Sequence, residues 1–322
     1  MMTLLQLAGG FVLLLFGAEY LVRGAVALAR RLNVSPMLIG MTIVAYGTTA
    51  PELVVSLQAA LAGQPGISIG NVVGSNIANI LLILGISAMI FPIVVKPADL
   101  YRDSAMLMGS SLLFVALALS GTIERWQGVL MIAALAVFSA YAYWSESRRG
   151  AAHSSADELA EEFTEGTQAA WLSLLSIVGG VVAVVIGARL LVTAAITMAQ
   201  LLGVGEEVIG LTIVAVGTSL PELATAVVAA FRRHSGVAVG NIVGANIYNL
   251  LAIMGLVAAV KPIPVPSQIL QFDLWFMLAV TAALLATLLW RGGLSRGVAS
   301  LFLVAFVAYT TLQYFGVARV FD

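Results

Sequence analysis

Two blocks of this chain occur twice, at one fixed offset. Gly47-Thr48-Thr49-Ala50-Pro51-Glu52 returns 170 residues later as Gly217-Thr218-Ser219-Leu220-Pro221-Glu222. Gly70-Asn71-Val72-Val73-Gly74-Ser75-Asn76-Ile77-Ala78-Asn79 returns as Gly240-Asn241-Ile242-Val243-Gly244-Ala245-Asn246-Ile247-Tyr248-Asn249 at the same offset. Gly17–Pro92 aligns with Gly187–Pro262 without a gap, with 34 identities in 76 positions. The fold must therefore hold two like units, each carrying a glutamate beside a proline within apolar sequence.

Composition sets what that glutamate costs. The chain is 61% hydrophobic and 10% charged, against about 25% charged in a soluble domain. Apolar runs near the roughly 20 residues that a span needs recur at 3–29, 36–61, 66–91, 101–119, 126–144, 171–199, 206–231, 236–258, 272–290 and 296–316. Lipid supplies no hydrogen bonds, so these spans are expected to be helices. The expected fold is an all-α polytopic membrane protein of ten transmembrane helices. The run Leu4 to Leu15 lacks a basic leader and is read as the first span rather than a signal peptide. Trp126, Trp144, Trp171 and Trp290 fall at span ends, as in an aromatic belt. With no cysteine, disulfide and thiolate chemistry are excluded. The net charge of −1 says nothing about nucleic acid, but no basic patch with interleaved aromatics is present, so a nucleic-acid surface is not expected.

Charge placement gives the expected orientation. Loops after odd-numbered spans carry Arg30, Arg31, Lys96, Arg102, Arg148, Arg149, Arg232, Arg233, Arg291 and Arg296, whereas the opposite side carries Arg125, Lys261 and Arg319. The positive-inside rule puts the first group in the cytoplasm and both termini outside a cell (inner) membrane. Residues 1–144 then form a first five-helix repeat with its motif at 40–85, and 171–322 form a second with its motif at 210–255. An odd number of crossings inverts the second repeat, the plan of secondary transporters with a site near the midplane. The acidic segment 145–170 is read as a solvated cytoplasmic linker, and His153 and His234 as solvated loop residues. Glu19 and Arg23 are read as an internal ion pair, and Asp273 as a helix cap or interfacial residue.

The doubled block has chemistry of its own. Pro51 and Pro221 lack an N–H, so the carbonyls of Gly47 and Gly217 lose their helical partners and each span is expected to break. Thr48 and Thr49 lie on the face of Glu52, and Thr218 and Ser219 on the face of Glu222. Ser75 and Asn79 share a face of the next span, where Asn249 matches Asn79; Gly70, Gly74, Gly240 and Gly244 are expected to let helices approach closely. Carboxylates, hydroxyls, amides and carbonyls form an all-oxygen set, which suits a hard cation such as Ca²⁺. The set has no histidine or sulfur ligand, which argues against zinc or copper. Two intramembrane carboxylates need charge compensation, by one divalent cation or by monovalent ions or protons. A single copy reads as well as a kinked helix with a salt-bridged glutamate; two copies with matching asparagine blocks favour a site.

At these residues the sequence resembles the calcium/cation antiporter superfamily, and in particular prokaryotic sodium/calcium exchangers. The resemblance implies metal ligation by Thr48, Thr49, Glu52, Ser75 and Asn79 from the first repeat. From the second it implies Thr218, Ser219, Glu222 and Asn249, with backbone carbonyls from Ala45 and Ala215. It implies exchange of Ca²⁺ for Na⁺ by alternating access, with these ions as the transported partners, no cofactor and no obligate protein partner. Archaeal members carry serine at the place of Ala245 and aspartate at that of Asn249, so their stoichiometry does not transfer. Proton/Ca²⁺ exchange is the nearest alternative and a passive cation channel a remote one. An enzyme is not expected, since neither a His-Glu-x-x-His motif nor a serine–histidine arrangement is present.

Overall fold

A computed structural model describes residues 2–32, 36–95, 97–149, 170–201 and 215–315. The main helices of the described residues are α1 (Met2–Leu32), α2 (Ala50–Leu61), α3 (Pro65–Ala78), α4 (Pro97–Ala118), α5 (Arg125–Arg149), α6 (Ala170–Leu201), α7 (Leu220–Phe231), α8 (Ser235–Tyr248), α9 (Leu274–Arg291) and α10 (Arg296–Phe315); the part 206–214 of the expected seventh span lies outside the described residues. Seven helices among the described residues are long and apolar enough to cross a membrane: Leu5–Ala29, Pro65–Ile90, Arg125–Ala142, Trp171–Leu191, Ser235–Val260, Ile269–Arg291 and Arg296–Gln313. α2 and α7 are apolar but shorter. The polar start of α4, with Asp99, Arg102 and Asp103, keeps it outside the seven. Most of the linker and His153 lie outside the described residues.

The repeat is written into the backbone as well as the sequence. α3 and α8 each pass into a π-helical stretch, Asn79–Leu84 and Asn249–Ile253. A residue in the bridge conformation precedes α2 and α7: Thr49 at φ −80°, ψ 2° and Ser219 at φ −89°, ψ 8°. Two short antiparallel ladders are reciprocal. β1 (Ile93–Val94) pairs with β4 (Gly293–Leu294), while β2 (Thr122–Ile123) pairs with β3 (Ile263–Pro264). Each ladder thus joins a strand of one sequence half to a strand of the other.

Contacts divide the chain into two compact units, Met1–Pro51 with Trp144–Asn241 and Glu52–Tyr143 with Ile242–Asp322. In the first unit α1 and α6 cross through glycines. A Cβ on Gly10 would lie 2.9 Å from the Gly187 carbonyl, one on Gly180 2.7 Å from the Gly17 carbonyl, and one on Gly24 2.8 Å from the Ser173 carbonyl. Numbers rise along one helix as they fall along the other, so α1 and α6 are antiparallel. Gly10 and Gly180 are repeat counterparts, as are Gly17 and Gly187. Leu14, Ala18, Val22 and Val184 join Val228, Ala229 and Val237 in the core of this unit. Glu19 accepts ion pairs from both Arg23 and Arg232, so the expected pair is a triad.

In the second unit α5 meets the segment after α8 at a glycine, where a Cβ on Gly128 would lie 2.5 Å from the Gly255 carbonyl. Arg296, at the start of α10, donates to the carbonyls of Met89 and Ile90 and so closes a helix end. Two expectations are corrected in this unit and one at α7. Nothing described lies within 4 Å of a Cβ placed on Gly70 or Gly74, so the close contacts fall to other glycines. Asp273 makes no cap bond; it is buried and accepts hydrogen bonds from Tyr309 (2.9 Å) and Gln313. His234, expected in solvent, is buried where the chain turns from α7 into α8.

Candidate functional site

In the first unit the helical turn Ala45–Thr48 packs on α7. Thr49 then leaves the helix, and α2 begins with Pro51 and Glu52 in its first turn. The same grammar at Ala215–Thr218 and Ser219 puts Pro221 and Glu222 in the first turn of α7. Proline is favoured there because its missing N–H is one that a first turn leaves unbonded anyway. A glutamate at the same place is favoured by the positive end of the helix. The expected break is present, and it lies at the residue before each second helix segment.

Thr48, Thr49, Thr218 and Ser219 are buried. The Thr49 hydroxyl donates to the Ala45 carbonyl at 3.0 Å, and the Thr48 hydroxyl reaches the same carbonyl at 3.3 Å. The Thr49 N–H also ends on that carbonyl, at 3.0 Å. With two lone pairs facing three donors, the Ala45 carbonyl is engaged by its own turn. The consequence for the hydroxyls is the useful one: the Thr49 proton is directed to Ala45 and the Thr48 proton to Ala45 or Oδ1 of Asn241, all of them acceptors, which leaves lone pairs on both hydroxyl oxygens. Ala215 opens the matching turn of the second repeat. Thr48 also lies 3.4 Å from Oδ1 of Asn241.

The second unit holds Glu52, Ser75, Asn79 and Asn249. All four are buried, and α3 packs on the π stretch that begins at Asn249. Asn71 donates to the Ser56 hydroxyl (2.9 Å) and to the Glu52 carbonyl (3.3 Å), which ties α2 to α3 at the glutamate. Asn79 Nδ2 donates to Asn246 Oδ1 at 2.9 Å, and Asn246 Nδ2 to the Asn76 carbonyl at 3.3 Å. The Asn79 Oδ1 and both side-chain polar atoms of Asn249 are buried and have no hydrogen-bond partner among the described residues. Unpaired buried amide atoms are costly in protein interiors and call for a reason.

Glu52 and Glu222 are each 1% exposed; they belong to different units, and each unit brings hydroxyls or amides of one repeat to an element of the other. Among the described residues no three histidine, cysteine or acidic side chains gather as a metal cluster. Asn71, Asn76, Asn241 and Asn246 are the contributors that motif reading passed over. Their signal was available: all four stand in the quoted blocks and recur at the same offset.

Residues 2–144 and 172–315 match the family described as sodium/calcium exchanger protein. The chain belongs to the sodium/calcium exchanger family. Family members are antiporters, and the match covers both repeats while leaving out the linker. The chain is 36% identical over 314 residues to a putative antiporter, CaxA, of Alkalimonas amylolytica, covering 95% of this chain and 96% of that one. It is 32% identical over 338 residues to the sodium/calcium exchanger MaX1 of Methanosarcina acetivorans, covering 95% and 97%. The structure of the sodium/calcium exchanger from Methanococcus jannaschii superposes with a TM-score of 0.83 at 27% identity, covering 96% of this chain and 98% of that one. The resemblance read from the doubled blocks is thereby established at the level of family.

Proposed function

We propose that this chain exchanges Ca²⁺ for Na⁺ across a cell membrane by alternating access, with Glu52 and Glu222 supplying the charge that holds the ions. One observation carries the proposal: two glutamates, buried to 1% exposure, stand three residues after the same helix break in the two repeats. In a membrane such a pair is tolerated when cations compensate it. One Ca²⁺ or two monovalent ions serve equally for charge, and that equivalence is the basis of exchange.

The remaining ligands follow from the donor chemistry. Thr48 and Thr49 give hydroxyl lone pairs, their protons being directed to the acceptors Ala45 O and Asn241 Oδ1. Thr218 and Ser219, with the Ala215 carbonyl, play the matching part in the second repeat. Ser75, Asn79 and Asn249 add oxygens that suit Ca²⁺, which takes about 6–8 of them. The antiparallel crossing of the repeat-equivalent helices α1 and α6 supports the reading of the repeats as inverted. In that reading both termini are extracytoplasmic and residues 145–170 face the cytoplasm.

Purified protein in sealed vesicles, loaded with Ca²⁺ and given a Na⁺, K⁺ or pH gradient in turn, tests the proposal. Ca²⁺ movement driven by the Na⁺ gradient is expected. Movement that ignores Na⁺ and follows the pH gradient would replace Na⁺ by protons as counter-ion. Conductance without counter-ion movement would make the protein a channel.

A further inference from the structure

We propose that Asn246 is a positioning residue: it fixes the side-chain amide of Asn79 so that the oxygen, not the nitrogen, is presented to the cation. The argument is one of hydrogen-bond logic. The Asn76 backbone carbonyl can only accept, so the Asn246 atom that meets it at 3.3 Å must be Nδ2. The other end of the same amide is then Oδ1, also an acceptor, and the Asn79 atom 2.9 Å from it must be Nδ2. Only the oxygen of Asn79 remains, buried and without a hydrogen-bond partner among the described residues. A rotated Asn79 would set two N–H donors where the cation needs a lone pair.

The brace exists once. By the repeat, the counterpart contact would run from Asn249 to Asn76. The Asn76 nitrogen instead donates to the Val72 carbonyl within its own helix at 2.8 Å, and the Asn249 amide has no such partner. Asn79 is thus a pre-set ligand, while Asn249 is held at neither amide atom by a hydrogen bond among the described residues. Asn76, Asn79 and Asn246 all lie in the second unit, so the chain of contacts is internal to one compact body.

This inference rests on the reading of Asn79 as a ligand, and the test separates the two. Ca²⁺ binding to the detergent-purified full chain is measured by titration calorimetry for wild type, Asn246→Leu, and Asn246→Leu combined with Asn79→Asp. Loss of a residue that orients a ligand weakens metal affinity by about 10–100-fold, and that loss is expected for Asn246→Leu. Both oxygens of a carboxylate can ligate, so adding Asn79→Asp removes the need for orientation and is expected to restore binding. Unchanged affinity in Asn246→Leu overturns the proposal. Weakened affinity that Asn79→Asp fails to restore also overturns it, because Asn246 then serves packing alone. A wild-type chain that binds no Ca²⁺ removes the functional reading first. If Asn246→Leu does not yield monodisperse protein, the smaller Asn246→Ser runs the same comparison. A chain that folds with neither substitution shows that Asn246 holds the fold rather than the amide, and overturns the proposal.

Discussion

Glu52 and Glu222 carry one negative charge each into sequence where charge is expensive, and their effects should be separable from folding. Glu52→Gln and Glu222→Gln keep the shape while removing that charge and turning one acceptor oxygen into a donor. Each is expected to abolish Ca²⁺ transport in vesicles while the purified protein stays monodisperse; near-normal flux in both would place the site elsewhere. The same residues predict a thermal signature. A ligand that binds only the folded chain stabilises it by about 2.7 kcal/mol at a hundred times its dissociation constant. Ca²⁺ is therefore expected to raise the melting temperature of the wild type and to leave that of Glu52→Gln unmoved. The burial of the glutamates and of the hydroxyls beside them was legible in the sequence because type, spacing and repetition all agreed. The asparagines were only half legible. A repeated Asn reads the same whether it ligates or braces, and the difference between Asn79 and Asn246 is made by a partner 167 residues away.

At the scale of elements, apolar runs located the helices, but they located the break in the second span less well. Proline in a helix interior expels the preceding turn, whereas here Pro51 and Pro221 sit in first turns and Thr49 and Ser219 carry the non-helical backbone. Pro51→Ala supplies an N–H within reach of a continuous helix, a bond worth about 0.5–1.5 kcal/mol. The expected result is a folded protein whose initial Ca²⁺ flux falls several-fold. Gly70 and Gly74 were misassigned for a related reason. They have small-residue spacing, yet among the described residues nothing lies within 4 Å of a Cβ placed on either, while Gly10, Gly17 and Gly24 meet backbone at heptad intervals. Gly17→Leu is accordingly expected to cost at least about 1–3 kcal/mol through overpacking, read as loss of monodisperse protein. Gly74→Ala is expected to give a normal elution profile. The heptad was present in the sequence, but spacing alone does not say which glycine stripe meets a partner.

For the whole molecule, the repeat was plain in the sequence, and the compact units were not. Alignment suggests two halves lying one after the other, whereas each unit draws on both. The ladders make the dependence specific, since β1 and β2 of the first half pair only with β4 and β3 of the second. Residues 1–144 expressed alone are expected to aggregate, and co-expression with 145–322 to recover folded protein, as judged by size-exclusion chromatography. The ladders also impose a schedule on biosynthesis. β1 leaves the ribosome about 200 residues ahead of its partner strand, which at roughly 5–20 residues per second is a wait of roughly 10–40 s. Throughout that interval the nascent chain holds an open strand edge at Ile93–Val94, and the exposure lasts until α9 has been made, with α10 alone still to come.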